Sequence, residues 1–474
     1  MAINNIQPGL GFQSYNSINK NDIENNQPQK TDTVIAIADS NKSISIAVSP
    51  DPNKTPPAVA PGLNLADNAA KIELSTALLE DPKTSTEAWT EGYNGLRTIK
   101  RVLFHSLPLK EKGPWSRLAY LGGHGMLSIY FNWGFGTVLH EIHHAAKAKS
   151  YGFEPEFCIT NGQKDISPFR LALAKLLFQG KAYTNTELKT ETVDHLKADG
   201  VFDEAMARIA QAGINGNTLF ANSLIQEAQK NEFLDVSEVI YYMWNKLYGA
   251  AYTRVSMAAD DGPDKEANPG QKKGDIDRAI ESVKAQGFYI SKEDIYRHQR
   301  LTTLCSGGFL TFMLKAMPSY VLKGEKGVEP LHIKLGGLKV YWPEFSTFLN
   351  PGGISLNTQV GLRFDPDTYL SLGFETLTTR SAIDKSKVDK SSEISIGINK
   401  DFNKYGLSAE LTANDKGGRL FGLGGYRDLA KHFRLGANIS YGKNDTYKEL
   451  RECAHPYDDN GPFIEGKITT AYLF

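Results

Sequence analysis

Near residue 331 the hydrophobic period of this chain changes. Upstream, apolar residues recur at helical spacing; downstream they alternate one by one. No single element type satisfies both patterns, so the chain divides into a helical part and a strand part. In Ile354-Ser355-Leu356-Asn357-Thr358-Gln359-Val360-Gly361-Leu362-Arg363-Phe364 the apolar side chains take one face and Ser355, Asn357, Gln359 and Arg363 the other. The same alternation runs through 370–376, 394–398, 405–411, 433–441 and 464–474, and 331–342 and 420–427 bring the expected total to about eight strands. Short links at 365–367, 401–404 and 428–431 alternate with longer polar ones at 343–353, 379–393, 414–418 and 443–462. Short turns at one end and long loops at the other are the plan of an antiparallel up-and-down β-barrel with a side-chain-filled interior. Alternation alone leaves its direction open, with the apolar face inward in a soluble barrel and outward in a membrane.

The last strand bears on that choice. Phe474 ends the sequence with Tyr472, Thr470 and Ile468 in phase, and Glu465 and Lys467 take the opposite face. This strand resembles the C-terminal strand of bacterial outer-membrane proteins. The resemblance implies membrane lipid around the barrel, Glu465 and Lys467 in its lumen, and a bacterial outer-membrane location with the helical domain on the periplasmic, short-turn side. Residues 1–26 are Asn-rich and polar rather than built like a secretory signal. That leaves a leader upstream of this start, another export route, or a soluble barrel.

The helical part contains Val138-Leu139-His140-Glu141-Ile142-His143-His144. On a helix, His140 and His144 project from one face about one turn apart and can share a metal ion, with Glu141 beside them as a general base. His143 at i+3 from His140 is an alternative partner, but the i,i+4 pair leaves Glu141 better placed. The His-Glu-x-x-His pattern resembles the zincin metallopeptidases over this one helix, which implies Zn²⁺ on His140 and His144, catalysis through Glu141, and a protein or peptide substrate. The third histidine of the metzincins is absent, since Ser150 stands at its position.

A third ligand is expected from another helix. Glu238, inside the apolar run 236–248, is the first candidate, and Glu227, His298 and His124 are its rivals. Tyr241, Tyr242 and Tyr248 are available as phenols for an oxyanion, none of them assigned. Segment 118–139 is long enough to span a bilayer, but its glycine clusters at 122–125 and 134–136 read as a helix–loop–helix leading into the motif helix. A site-2-type intramembrane protease carries the same motif on an apolar helix with a downstream aspartate. Asp260-Asp261-Gly262-Pro263-Asp264 is the nearest counterpart and lies in a polar stretch. Further helices are expected at 167–179, 186–199, 203–212, 219–230, 236–251, 273–285 and 291–317, with Ala212-Gly213 as an end signal. Glu154 and Glu156 are expected in a loop.

Residues 1–81 are rich in Asn, Ser, Pro and Asp, the composition of a disordered arm, with a short helix at 65–79 and strand-like runs at 34–38 and 44–48. A formal net charge of −1 provides no basic field for nucleic acid, and three scattered cysteines provide no disulfide framework. The expected architecture is α+β multidomain: arm 1–81, helical metallopeptidase-like domain 86–325, and β-barrel 331–474. The expected function is a zinc metallopeptidase anchored to a membrane by its barrel. A non-enzymatic barrel with a helical binding or plug domain, and the intramembrane protease, are the alternatives. An enzyme joined to a C-terminal barrel resembles the patatin-like outer-membrane proteins in plan alone.

Overall fold

The structure is a computed structural model, and it describes residues 71–75, 85–106, 113–159, 166–178, 182–187, 189–260, 274–384, 386–430, 432–443, 446 and 462–473. The strand-like runs at 34–38 and 44–48 and the loop 261–264 lie outside these residues, as does most of the expected arm. Strand β1 (Lys71–Ser75) falls inside that arm, where a helix was expected. It pairs antiparallel with the last strand, Ile72 opposite Tyr472 and Leu74 opposite Thr470.

After β1 come helices α1 (Thr86–Ser106), α2 (Pro114–Phe131) and α3 (Thr137–Ser150). No loop separates α2 from α3: a π-helical turn, Asn132–Gly136, joins them. Two of the glycines that looked like breaks are contact points, whereas Gly122 and Gly123 face open space. A Cβ at Gly125 would lie 2.9 Å from Ile240 Cδ1, and one at Gly134 would lie 2.5 Å from Leu176 Cγ. Strand β2 (Glu154–Ile159), placed where a loop was expected, pairs with β3 (Ala182–Glu187), and α4 (Pro168–Phe178) lies between them in sequence. Helix α5 (Thr190–Ala198) is followed by α6 (Phe202–Lys230), one continuous helix where two were expected. A two-residue strand β4 (Leu234–Asp235) leads into α7 (Val236–Asp260). Helices α8 (Asp275–Ala285), α9 (Lys292–Cys305), α10 (Gly307–Thr311) and α11 (Met317–Lys323) complete the domain.

Helices α1, α2, α3, α6, α7 and α11 share one apolar core, built on Tyr93, Phe104, Leu139, Phe220, Tyr241, Tyr242 and Tyr320. A second cluster seats α8 and α9 on α6 and reaches Leu349 and Ile354 of the strand domain.

The strand domain begins with β5 (Gly327–Val328), which pairs with β4, and the hairpin β6 (His332–Leu335) and β7 (Leu338–Tyr341). It continues through β8 (Glu344–Asn350), β9 (Gly353–Asp365), β10 (Thr368–Arg380), β11 (Val388–Phe402), β12 (Tyr405–Asn414), β13 (Arg419–Ala430), β14 (Phe433–Gly442) and β15 (Phe463–Leu473). The meander from β9 to β15 matches the sequence reading. β8 occupies an expected loop, and β6 and β7 replace one expected strand.

The expected closed barrel of about eight strands is not formed. The sheet has eleven strands and stays open, in the order β1-β15-β14-β13-β12-β11-β10-β9-β7-β6, with β8 also on β9. The reason lies at β8, whose second edge is taken by helices. Asn215 of α6 accepts from Leu349 N at 2.9 Å and donates to Leu349 O at 2.8 Å, as a neighbouring strand would. Gln211 donates to Asn350 O and Ser306 to Phe345 O. An edge covered in this way is blocked from pairing with a further strand. At the other edge β1 packs beside α1, and Glu91 of α1 reaches Lys467 of β15 at 3.5 Å. The helical domain therefore stands between the two edges of the sheet.

A buried joint locks the domains together. Lys246 Nζ lies 2.6 Å from Glu344 Oε1, Tyr242 OH donates to the same oxygen, and Gly308 N donates to Oε2. Such a pair is tolerated because every member is hydrogen-bonded.

The faces of the sheet answer the question alternation left open. Ser355, Asn357, Glu375, Glu393 and Thr412 are buried on one face, whereas Phe374, Ile396, Leu407, Phe421 and Ile439 are exposed on the other. The polar face also meets the C-terminal turns of α6, where Gln229 accepts from Tyr369 OH and Lys230 donates to Asn399. The apolar side chains point out.

Candidate metal centre

Three elements build the site: α3, the middle of α6 and the first residue of α8. His140, His144 and Asp275 converge, with His140 Nε2 3.0 Å from Asp275 Oδ2, His144 Nε2 3.2 Å from the same oxygen, and the two Nε2 atoms 3.1 Å apart. All three residues are at most 2% exposed. Asp275 is the ligand that sequence reasoning missed. An acid in the first turn of a helix ordinarily serves the helix dipole, which masks the signal. Tyr252 holds this residue, its hydroxyl accepting from Asp275 N at 3.2 Å.

The ring orientations are fixed from behind. Asn245 Nδ2 donates to the Tyr241 carbonyl at 2.9 Å, so its Oδ1 accepts from Asn217 Nδ2 at 2.8 Å, which in turn directs Asn217 Oδ1 at His140 Nδ1, 3.0 Å away. His140 Nδ1 is thereby the donor. His144 Nδ1 donates to the Ile209 carbonyl at 2.6 Å. Both Nε2 atoms then present lone pairs to each other and to a carboxylate oxygen. Three acceptors in van der Waals contact repel unless a cation, a proton or a metal ion, lies among them.

The residues fit a metal ion. A tetrahedral ion bonded at about 2.0–2.1 Å holds its ligand atoms about 3.3–3.4 Å apart, close to this triangle. Space is provided by Gly213 of α6, where a Cβ would lie 2.5 Å from both His140 Cε1 and His144 Nε2. Gly213 therefore marks the site, not a helix end. Gly216, one turn on, lies flat against the His143 ring.

Glu141 is buried beside the cluster, and its Oε2 accepts from Thr184 N at 2.8 Å and from Thr184 Oγ1 at 2.9 Å. Strand β3 thus clamps the carboxylate. Burial raises its pKa above the ordinary glutamate value, more than the neighbouring histidines lower it. For His144, burial favours the neutral ring, but the Asp275 carboxylate outweighs it and lifts the pKa to about 9. Burial works against the Asp275 carboxylate too, yet His144 and His140 hold its pKa well below the usual range. His143 points away from the cluster, and burial drops its pKa to about 3, so the alternative pairing through His143 is not the one observed.

None of the earlier third-ligand candidates belongs to the cluster. Glu238 pairs with Arg101 at 3.0 Å, Glu227 pairs with Arg97 at 2.9 Å, His124 stacks on Phe104, and His298 stands exposed on α9. Of the tyrosines, Tyr242 belongs to the interdomain joint and Tyr241 to the α1 side, whereas the Tyr248 ring lies 5.2 Å from that of His140. Among the described residues, no helix is long and apolar enough to cross a membrane.

No protein-family model matches the chain, and no curated protein matches it. Solved structures that align with it include an anion-selective porin from Comamonas acidovorans, with 12% identity, a TM-score of 0.20, and coverage of 31% of this chain and 49% of that one. Another is the outer-membrane protein OmpT of Vibrio cholerae, with 15% identity, a TM-score of 0.20, and coverage of 30% and 54%. The chain spans about half the length of the solved structures it matches. Superpositions this partial carry no argument, and the function is reasoned from the site.

Proposed function

We propose that this protein is a zinc-dependent metallopeptidase seated in a bacterial outer membrane by its C-terminal sheet; the helical domain, expected on the periplasmic side, lies instead along the sheet, with Gln211 and Asn215 of α6 at the long-loop end and Gln229 and Lys230 at the short-turn end. One observation carries the hydrolase reading: three buried acceptor atoms on His140, His144 and Asp275 face one another, with both Nδ1–H groups engaged behind them. Two imidazoles and a carboxylate are a donor set suited to zinc. An ion held there would polarise a scissile carbonyl and acidify a water near neutral pH.

The chain's own residues do the rest. Glu141 takes a proton from the attacking water, and its raised pKa suits it to pass that proton to a leaving amine. Thr184 bonds Oε2, which leaves Oε1 to receive the proton. Tyr248 is the phenol placed to donate to a developing oxyanion, with its ring beside His140. Membrane seating rests on the exposed apolar face of the sheet, which is far larger than a soluble monomer shows. Phe364, Phe402, Tyr405 and Phe433 stand exposed at the short-turn end, where an interfacial aromatic row belongs.

A second reading rests on Asp275. A downstream aspartate is what the site-2-type resemblance implies, and that reading differs in substrate, a peptide segment held in the membrane.

Elemental analysis of chelator-free protein tests the proposal. The expected result is about one zinc per chain in wild type and in Glu141→Gln, and none in His140→Ala/His144→Ala. Peptide hydrolysis should disappear in all three of Glu141→Gln, Asp275→Ala and the double variant. No bound metal after zinc supplementation, or full activity in Glu141→Gln, overturns it and leaves the helical domain as a binding or plug module.

A further inference from the structure

Exposed apolar side chains are not confined to the sheet. On α2 the outward face reads Trp115, Leu118, Ala119, Gly122, Gly123, Met126, Leu127, Ile129 and Tyr130, broken by Ser116 alone. Trp115 is 82% and Met126 70% exposed. Leu301 and Leu304 of α9, Met313 and Leu314 after α10, and Leu322 of α11 are exposed as well.

These residues form a band continuous with the sheet's exterior. One cross-strand row runs from Ile333 through Val340, Leu362, Leu370 and Ile398 to Ala409. Two residues beyond Val340 the exposed Trp342 donates its indole N–H to Cys305 O at 3.2 Å, which sets it on the end of α9 beside Leu301 and Leu304. From α9 the band continues over α10 to α11. Arg117 of α2 donates to Leu322 O at 2.9 Å and draws the apolar face of α2 alongside. On its inner side α2 meets α1 through Tyr120 and His124 against Phe104, and α1 adds the exposed Ile99. The first turns of α9 are charged, with Glu293, Arg297 and Arg300 exposed, as is α5 with Glu191, Asp194 and Lys197.

We infer that lipid acyl chains cover the outer face of α2, the last turn of α9 at Leu301 and Leu304, Met313 and Leu314 after α10, and Leu322 of α11, so that these segments extend a lipid-facing wall of which the sheet is the larger part. This rests on the reading that the sheet faces lipid. Apolar surface that continues the sheet's exterior onto several separate helical segments suits a surrounding solvent better than one docked protein. The eighteen residues of α2 extend about 27 Å at 1.5 Å per residue, against an apolar band about 25 Å tall on outer-membrane barrels. One apolar face on each of several helices meets lipid without any of them crossing alone, in agreement with the absence of a spanning helix among the described residues. Gly125 seats α2 on Ile240 of α7, and α7 carries Tyr248 and Tyr252 of the site. The metal centre would then lie one helix layer from the acyl chains.

Fluorescence quenching tests this on the full chain reconstituted in phosphatidylcholine vesicles. In a Trp115→Phe/Trp342→Phe background, whose remaining emission from Trp89, Trp133 and Trp244 is subtracted, one reporter at a time is added as Met126→Trp on α2, Leu304→Trp on the last turn of α9, Phe374→Trp on the sheet, or Glu293→Trp on the charged first turn of α9. With brominated acyl chains, both helical reporters should lose emission to the same extent as Phe374→Trp, while Glu293→Trp is quenched by aqueous iodide instead. Bromolipid quenching at Phe374→Trp with iodide quenching at Met126→Trp and Leu304→Trp would overturn this inference and leave the membrane-seated sheet standing. Iodide quenching at all four reporters would overturn both. All the replaced side chains are exposed, so folding does not depend on them.

Discussion

The two domains bury opposite chemistries. In the helical domain Tyr93, Leu139, Ile142 and Tyr241 are inside. In the sheet Ser355, Glu375 and Thr412 are inside, and Phe374, Ile396 and Ile439 are exposed. Both follow the rule that apolar surface leaves water. The difference lies in what stands outside: a water-facing sheet would gain by turning every strand over, and a one-residue register slip achieves that reversal. The registers from β9 to β15 all hold the apolar rows outward, which is the observation behind the proposed membrane seating.

A charge placed on each face breaks or sharpens the contrast. Ile396 is at mid-strand, opposite Leu372 and Leu411. In lipid vesicles Ile396→Arg should cost about 2–4 kcal/mol, the value for an arginine near the midplane of a barrel. Ser408, on the polar face opposite Gly424, should accept arginine with far less loss. Urea unfolding of the reconstituted protein measures both, and equal costs would end the contrast.

The helical domain has an internal counterpart, since α6 carries two buried asparagines with different duties. Asn217 holds the ring of His140, whereas Asn222 belongs to the Lys246–Glu344 joint. Residues that orient a ligand imidazole typically change metal affinity by about 10–100-fold when removed. Asn217→Ala should weaken zinc binding by about that factor, and Asn222→Ala should lower stability and leave zinc affinity unchanged. Competition with a chromophoric chelator separates them; an equal effect on zinc would mean that the Asn217–Asn245 relay does not set the ring.

The sequence made the period switch, the strands from β9 to β15, and the pair His140 and His144 with Glu141 legible, because each rests on a local repeat. What it hid depends on contacts between distant elements. Gly213 looks like a helix end until His140 and His144 are seen against it, and Gly134 looks like a loop until Leu176 covers it. The barrel failed to close because Asn215 and Gln211 complete β8 from a helix more than a hundred residues upstream, which no alternation records. Asp275 is acidic at a helix start, where acids are common for another reason. Its partners come from α3, 135 and 131 residues away. The buried asparagines of α6 were the available signal, 215 and 222 on the face toward β8 and 217 on the opposite face toward His140.

The most gradual expected effect lies in the pH dependence of the metal-stripped protein. His144 has its pKa lifted from 6.5 to about 9 beside Asp275, so its contribution to stability is fully present below about pH 6.5 and is lost as pH rises through about 9. The slope in that window is at most about 1.4 kcal/mol per pH unit. Asp275 acts at the other end, with a contribution that is lost as pH falls through its depressed value; the two titrate as a pair. Stripped protein should therefore lose stability from pH 6.5 to 9, and His144→Gln should flatten that loss. Zinc removes that loss, because a ligand imidazole gives up its proton, so the loaded protein should gain stability up to about pH 6.5 and stay level from there to about 9. Thermal unfolding with and without zinc reads both slopes. An equal loss from pH 6.5 to 9 in both would mean that the proton and the metal do not compete for His144, and the acceptor triangle would lose its meaning as a metal site.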